Sequence, residues 1–228
     1  MDYSALPGRL ALVRETIESH RQIGGWSHQV RIVAVTKTHG PEAVRAAFAA
    51  GLDAVGENRV QEALTKMEPV RDVPVEWHLI GTVQRNKVRR IVGQFALVHT
   101  VDRKELVAEF ARRIPEGAPQ RVLIEVNCGG EPAKAGVLPE RLPYLIDEVL
   151  GHENLRLDGL MTMAPFTDEA EVQRRTFRVL RALRDEATTR GIDLPHLSMG
   201  MSNDFGVAVE EGATMVRLGT VLFGERTP

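Results

Sequence analysis

Short apolar runs recur eight times along the chain and predict eight buried β-strands. Most of the runs are rich in valine, isoleucine and leucine, which is typical of strands that are buried on both faces. The predicted strands cover residues 32–35, 53–57, 75–80, 95–101, 121–126, 155–163, 196–199 and 214–218. The seventh run gives the weakest signal.

The segments between these runs have the spacing of amphipathic helices. The segment before the first strand places four apolar residues on one helical face: Leu6, Leu10, Val13 and Ile17. Ser4 is in position to cap this helix. The segment after the fifth strand repeats the pattern with Leu142, Leu145, Ile146 and Val149. Strand and helix therefore alternate, and connections too long for hairpins favour parallel strands.

Eight parallel strands in a chain of 228 residues predict a single (β/α)8 TIM barrel. Only residues 221–228 follow Thr220, too few for a full closing helix, so the extra N-terminal helix is expected to fill that gap. A doubly wound open sheet is the alternative fold, but no G-x-G-x-x-G pattern follows the first strand. With no linker or low-complexity segment, residues 1–228 are predicted to form one domain.

Composition and charge argue against several classes of partner. The formal net charge of −2 gives no global field for nucleic acid or an anionic membrane. The basic residues Arg85, Lys87, Arg89 and Arg90 are interpreted as a solvated helix face. No apolar stretch reaches the roughly 18 residues needed to cross a bilayer, and no signal peptide is evident. The single cysteine, Cys128, precludes an internal disulfide and fits a reducing compartment, so we expect a cytoplasmic protein.

Lys37 follows the first strand at the point where the chain leaves the sheet. The sequence there reads I-V-A-V-T-K-T-H-G-P, and Pro41 suits the first position of the next helix. Ligands of α/β folds bind at the carboxyl ends of strands. A buried lysine has a lowered pKa, and its neutral amine can form a Schiff base with a carbonyl group. Lys37 is therefore a candidate anchor, with a solvated charge at the edge of the core as the alternative.

Two loops, after the seventh and eighth strands, suit a phosphate group. Residues 198–204 read S-M-G-M-S-N-D, and Ser202 or Asn203 can start a helix there. Gly219 and Thr220 follow the eighth strand. Barrels often bind phosphate at these two places through backbone N–H groups and hydroxyls. The alternative for each loop is a helix cap followed by a tight turn.

Three further polar residues are candidates for the same site. Arg217 lies within an apolar strand, where a buried guanidinium needs a partner such as Glu125 or Asp158, or a ring nitrogen of a ligand. His78 lies in the third strand and is by default a satisfied core histidine. The Glu57-Asn58 pair could cap a helix or orient a ligand beside the lysine.

Neither a metal site nor cysteine chemistry is predicted. The sequence has no H-E-x-x-H motif and no cluster of cysteine and histidine. Nothing in the spacing ties a histidine to Cys128, so an inert thiol is preferred to a nucleophile.

Five motifs, in order along the chain, resemble those of the YggS/PROSC family of pyridoxal phosphate homeostasis proteins. They are A-V-T-K-T, G-E-N-R-V-Q-E, W-H-L-I-G-T-V-Q-R-N-K, L-S-M-G-M-S-N-D and V-R-L-G-T-V-L-F-G. The match runs from about residue 32 to residue 224. It implies a barrel similar to the N-terminal domain of alanine racemase.

The resemblance implies a role for each candidate residue. Lys37 would hold pyridoxal 5′-phosphate as a Schiff base, and Arg217 would face the pyridine nitrogen. An arginine at that position keeps the nitrogen unprotonated and weakens the ring as an electron sink. The phosphate would be held by Ser202, Gly219, Thr220 and the backbone around Gly200 and Met201. Asn58 and His78 would line the cofactor's pocket.

The sequence departs from the family pattern in two places. Thr82-Val83 and Arg85 replace more usual residues after W-H-L-I-G, which could reshape the wall near His78. The loop over residues 127–136 lacks a serine that is common there. Lys134 in the same loop matches the family pattern, but the resemblance assigns it no role.

Three functions compete for these residues. The resemblance implies a non-catalytic protein that buffers pyridoxal 5′-phosphate, delivers it transiently to apo-enzymes and maintains vitamin B6 homeostasis. A lone barrel without a swapped domain suggests a monomer. The alternative is a pyridoxal phosphate enzyme such as an amino-acid racemase, which needs acid and base groups on opposite faces of the substrate. No residues remain for the added β domain of alanine racemase, and Tyr3 and Tyr144 match no motif, so negligible racemase activity is predicted. A sugar-phosphate enzyme with a Schiff-base lysine would leave Arg217 unexplained.

Overall fold

A computed structural model describes residues 2–115, 117–131 and 134–225 of the chain. Its strands are β1 Arg31–Val35, β2 Ala54–Glu57, β3 Glu76–Leu79, β4 Leu97–Val101, β5 Gln120–Glu125, β6 Leu155–Met161, β7 His196–Ser198 and β8 Met215–Leu218. All neighbours in this order pair in parallel, and β8 pairs with β1 to close the barrel. The predicted (β/α)8 barrel is confirmed.

Helices follow the strands around the outside of the barrel. They are α1 Leu6–Gly24, α2 Pro41–Ala49, α3 Val60–Met67, α4 Lys104–Arg113, α5 Leu142–Leu150, α6 Ala170–Thr189, α7 Phe205–Glu210 and α8 Thr220–Phe223. The basic segment after β3, predicted as a helix, is a 3-10 helix over Arg85–Arg90. None of the helices in these described ranges has the length and apolar character needed to span a membrane.

Helix α1 fills the gap left by the short last helix, as the sequence predicts. Its four predicted apolar residues are all buried: Leu6, Leu10, Val13 and Ile17. Arg9 Nη1 donates a hydrogen bond to the Leu222 carbonyl of α8 at 3.4 Å. Just beyond the helix, Trp26 Nε1 donates to the Glu210 carbonyl of α7 at 2.8 Å. The segment before β1 thereby closes the outer ring beside β8.

The predicted cap of α1 is wrong. The hydroxyl and the N–H of Ser4 both donate to the carboxylate of Asp2, each at 2.8 Å. The helix therefore starts at Leu6 after Ala5, with Pro7 in its first turn. A nearby carboxylate accepts the serine's hydrogen bonds more strongly than an uncharged group would.

The barrel divides its apolar side chains into two cores. The larger core lies between the strands and the helices. The smaller core lies inside the barrel and consists of Leu97, Leu123, Met161 and Met215. Successive residues of a strand point to opposite faces, so alternate residues of each strand reach this interior.

Candidate functional site

A cavity of about 270 Å³ opens at the carboxyl ends of the strands, where barrels bind ligands. Among the described residues, its lining includes seven of the nine predicted site residues: Lys37, Asn58, Met201, Ser202, Arg217, Gly219 and Thr220. A larger cavity of about 640 Å³ lies at the amino-terminal end of β5, where Gln120 is one of its lining residues. The described lining of that larger cavity includes none of the predicted site residues, so the smaller cavity is the candidate site.

Lys37 occupies a tight turn at the end of β1. The N–H of His39 donates to the Thr36 carbonyl at 3.0 Å, and Thr38 within the turn has a φ of +67°. A β-branched residue rarely adopts this left-handed conformation. The Glu62 carboxylate accepts the Thr38 N–H at 2.6 Å and stabilises the turn. The turn fixes the point at which the lysine leaves the sheet.

A buried ion pair next to this turn connects β1, β2 and α3. Lys66 Nζ lies 2.5 Å from Glu57 Oε1 and donates to the Thr36 carbonyl at 2.8 Å. The Thr36 hydroxyl donates to the same carboxylate oxygen at 2.6 Å. Burial raises the pKa of Glu57, and the bonds from Lys66 and Thr36 oppose that change. Sequence reasoning missed Lys66, because a lysine in an amphipathic helix is normally solvated.

Asn58 lies directly after β2 and lines the cavity beside Lys37. The backbone of Gly81, after β3, packs against the backbone of Asn58 so closely that a side chain at position 81 would overlap it. The glycine of the W-H-L-I-G motif is thereby explained, since no other residue permits this approach. The contact holds the ends of β2 and β3 together at the rim of the site.

Arg217 is buried in β8 and also lines the cavity. Its Nη1 donates to the Ser198 carbonyl at 2.8 Å and to the Ser198 hydroxyl at 2.7 Å. Its Nη2 donates to the Thr162 carbonyl at 3.0 Å. Burial lowers the pKa of Arg217 to about 10, opposed by Asp204 and Glu125, so the guanidinium stays charged at neutral pH.

The suggestion that Asp158 is a partner for Arg217 is wrong. Asp158 pairs with Arg121 and with Arg156, near the amino-terminal ends of β5 and β6. Glu125 lies close enough to act on the charge of Arg217, but the hydrogen bonds described above go to carbonyl and hydroxyl oxygens. Three fixed oxygens replace the carboxylate that the sequence suggested.

The two predicted phosphate loops meet at the cavity, next to the end of β1, because β8 pairs with β1. The Val221 N–H donates to the Ser202 hydroxyl oxygen at 3.3 Å, which joins the loop after β7 to the loop after β8. The Met201 N–H donates to Asp204 Oδ1 at 2.5 Å and shapes the first loop. Hydroxyl and backbone groups of Ser202 and Thr220 therefore lie on one rim of the lining.

Gly200 supports these loops from outside the described lining. Its φ is +94°, and its carbonyl accepts the Arg217 N–H at 2.9 Å. A side chain at this position would overlap Ala208 of α7. Gly200 therefore allows α7 to pack closely against the end of β7, and its predicted contact with a phosphate stays a prediction.

His78 does not line the cavity and lies deeper in the barrel. It is fully buried, and its Nδ1 lies 3.0 Å from His99 Nε2. Ile80 points to the same side of the chain two residues later and reaches the cavity in its place. The motif places position 78 on the correct face of the strand but one layer too low for contact with a ligand.

The loop between β6 and α6 forms a wall that sequence reasoning did not assign. Its lining residues are Met163, Ala164, Pro165, Phe166 and Thr167. Phe166 is 90% exposed and belongs to this lining. These residue types carry no chemical signature, so only the fold reveals their position.

Cys128 and Lys134 lie near this wall. Burial raises the pKa of the Cys128 thiol to about 12, so it is unreactive at neutral pH, in agreement with the preference for an inert thiol. Lys134 Nζ lies 2.6 Å from Glu131 Oε1 and donates to the Ala164 carbonyl at 3.3 Å. Lys134 therefore braces the wall.

Comparison with known proteins shows the fold family to which the chain belongs. The chain belongs to the family described as alanine racemase, N-terminal domain, whose model matches residues 10–227. Alanine racemase from Corynebacterium glutamicum shares the fold with a TM-score of 0.72 at 17% identity, over 93% of this chain and 60% of the racemase.

Within that fold family, the chain belongs to the family of pyridoxal phosphate homeostasis proteins. It is 47% identical over 221 residues to the pyridoxal phosphate homeostasis protein of Aquifex aeolicus, covering 96% of this chain and 97% of the relative. The structure of PipY from Synechococcus elongatus with PLP bound gives a TM-score of 0.84 at 33% identity, over 96% of this chain and 100% of PipY. The resemblance carried by the five motifs is confirmed.

Proposed function

We propose that this protein binds pyridoxal 5′-phosphate through Lys37 and stores and delivers it without converting a substrate. The observation that carries the proposal is the convergence of an amine, a charged guanidinium and two joined hydroxyl-bearing loops on one cavity. The names of the Aquifex and Synechococcus relatives support the same ligand.

The residues present fit the functional groups of this cofactor. When bound, pyridoxal 5′-phosphate supplies an aldehyde that condenses reversibly with a lysine amine. Lys37 lies in the lining and supplies the amine, while Ser202 and Thr220 provide donors for a phosphate. Arg217 lies in the same lining and can donate to the ring nitrogen. The cavity volume is close to the lower limit of about 300 Å³ for small-molecule sites.

The environment of Arg217 favours a carrier over an enzyme. A charged guanidinium donates a hydrogen bond to the ring nitrogen and keeps its proton, so the nitrogen stays neutral. A neutral pyridine ring withdraws electron density from a bound substrate less strongly than a pyridinium ring does. The site therefore holds the cofactor while weakening its main catalytic use.

The described lining also lacks a second acid–base group suited to racemisation. Its ionisable side chains, among the residues that the structure describes, are Lys37, Asp204 and Arg217. Asp204 is engaged with the Met201 N–H. Tyr3 packs on His39 and Phe223, and Tyr144 is half exposed on α5. Neither tyrosine reaches this lining.

The proposal is tested by comparing binding, transfer and turnover in one preparation. Absorbance titration should show saturable binding of pyridoxal 5′-phosphate by the wild type and a strongly weakened complex for Lys37→Ala. The loaded wild type should restore activity to an apo-aminotransferase in excess. The same preparation should convert L-alanine to D-alanine no faster than free cofactor does. Turnover at ordinary enzyme rates, or the absence of saturable binding, contradicts the proposal.

A further inference from the structure

A continuous line of polar side chains crosses the barrel interior, from the cavity toward the opposite end. It consists of Arg217 on β8, Ser198 on β7, His99 on β4, and His78 and Glu76 on β3. The joined atoms are Arg217 Nη1 and Ser198 Oγ at 2.7 Å, Ser198 Oγ and His99 Nδ1 at 2.9 Å, His99 Nε2 and His78 Nδ1 at 3.0 Å, and His78 Nε2 and Glu76 Oε2 at 3.4 Å. Glu76 also accepts from Arg31 Nη1 at 2.8 Å.

The two imidazoles lie in a place that otherwise holds apolar side chains. Ser198, His99 and His78 have no exposed surface. Leu97, two residues before His99 on the same face of β4, belongs to the small apolar core inside the barrel. A buried polar ring costs desolvation free energy unless its nitrogens are hydrogen-bonded. Here all four ring nitrogens have partners within the line.

The chemistry of the two ends fixes the position of every proton between them. The pKa of Glu76 is lowered to about 2, chiefly by the hydrogen bond from His78 and further by Arg31, so the carboxylate only accepts. His78 must therefore carry its proton on Nε2. Burial lowers the pKa of His78, and it lowers that of His99 well below its usual range. Both rings are thus neutral, with one proton each.

The remaining protons follow in order. Because His78 Nδ1 is unprotonated, it accepts from His99 Nε2–H. His99 Nδ1 is then unprotonated and accepts the hydroxyl proton of Ser198. The Ser198 oxygen consequently presents lone pairs to Arg217 Nη1, which can only donate. Every hydrogen bond along the line has the same direction, from the guanidinium to the carboxylate.

The direction of these hydrogen bonds determines how Arg217 faces the cavity. The two bonds to Ser198 and the one to Thr162 engage three of the five guanidinium N–H groups. The other two can serve an acceptor in the cavity, which Arg217 lines. If the Ser198 hydroxyl turned, its proton would face Nη1 and repel it. The orientation of Arg217 therefore depends on His99.

We propose that His99 and His78 are positioning residues, which act through Ser198 to orient Arg217 toward the ring nitrogen of a bound pyridine phosphate. The inference rests on the proposed function for its ligand, but the proton arrangement belongs to the protein alone. It also gives His78 a role other than the cavity contact that the sequence suggested.

The first test measures the proton arrangement in the wild type. Two-dimensional NMR of protein with 15N-labelled histidine distinguishes the two neutral tautomers by the shifts of Nδ1 and Nε2. Both His99 and His78 should be neutral Nε2–H tautomers at pH 7 without added ligand. A protonated Nδ1 on His99 overturns the proposal, and this result does not depend on any variant or on cofactor binding.

The second test measures the contact with the ligand. The probe is 4′-deoxypyridoxine 5′-phosphate, which keeps the ring nitrogen and the phosphate but has no aldehyde to react with Lys37. His99→Leu removes the acceptor for the Ser198 proton and should weaken binding of the probe about 10-fold, as expected for a misplaced hydrogen bond to a charged group. His99→Asn keeps a short-chain oxygen acceptor near Ser198 and should recover most of the affinity.

Two controls separate positioning from packing. Leu123→Met changes the neighbouring apolar core at nearly constant volume and should bind the probe like the wild type. Inorganic phosphate, which has no ring nitrogen, should compete equally in all variants. The proposal is overturned if His99→Leu binds the probe as tightly as the wild type does. It is also overturned if His99→Leu and His99→Asn weaken binding of the probe equally. Failure of the wild type itself to bind the probe contradicts the proposed function instead.

Discussion

Lys66 on α3 and Glu57 at the end of β2 form a buried ion pair beside the proposed anchor lysine, with Nζ and Oε1 2.5 Å apart. The same ammonium donates to the carbonyl of Thr36, the residue before Lys37. Removal of one partner from a buried pair leaves an uncompensated charge, which is far more costly than loss of a surface pair. The stability of the strand end that carries Lys37 therefore depends on a side chain outside the cavity.

Lys66→Met should lower the free energy of unfolding by about 3–5 kcal/mol, because it isolates the buried Glu57 carboxylate. Urea denaturation measures the change. Lys104→Met, at an exposed lysine of α4, is the matched control and should alter stability by less than about 0.5 kcal/mol. The double variant Lys66→Met/Glu57→Leu should recover part of the loss. Equal effects of the two lysine variants would show that the pair is unimportant.

Glu125 should make the protein less stable as the pH rises. Burial and the nearby Asp102 raise the pKa of its carboxyl to about 7 from an ordinary value of 4.5, with Arg217 opposing them. The folded state therefore keeps a proton that the unfolded state has lost, so stability falls between about pH 4.5 and pH 7. The complete effect is about 3 kcal/mol.

Glu125→Gln isolates this contribution, since the amide has nearly the same shape and does not titrate. The difference in unfolding free energy between the variant and the wild type should shift in favour of the variant from pH 5 to pH 8. A difference that is constant with pH would show that Glu125 titrates normally in the folded protein.

Gly200→Ala should destabilise the protein and disturb the loop that carries Ser202. Its φ of +94° strains any side chain, and a Cβ atom would also overlap Ala208. We expect a loss of about 2–4 kcal/mol from these two effects together. Gly191→Ala, at a φ of +76° with open space around it, carries the strain alone and should cost about 1 kcal/mol. Thermal unfolding of the two variants separates overlap from strain.

Periodicity predicted the fold well because each helix buries one face and each strand is a short run buried on both faces. The four apolar residues predicted for the helix after the fifth strand, Leu142, Leu145, Ile146 and Val149, are all buried in α5. The positions of the two loops were also predicted, since they follow adjacent strands of the barrel. Their hydrogen bond between Val221 and Ser202 confirms that the two loops meet.

The depth of each side chain in the barrel could not be predicted from the sequence. Alternation along β3 gives the face of His78 but not its layer, which depends on the register of neighbouring strands. The contact between His99 and Ser198 joins residues 99 positions apart, and no local pattern signals it. A helical lysine such as Lys66 has the same sequence appearance whether it is solvated or buried.

The most direct test of the central claim is reduction of the loaded protein with borohydride, followed by peptide mapping. Pyridoxal 5′-phosphate bound to Lys37 predicts a single reduced label on the peptide that contains A-V-T-K-T, with loss of the visible absorbance band. Lys37→Arg should take up no label at this peptide while it keeps its fold. A label spread over surface lysines, or a wild type that stays colourless and unlabelled with excess cofactor, would contradict the assignment of this site.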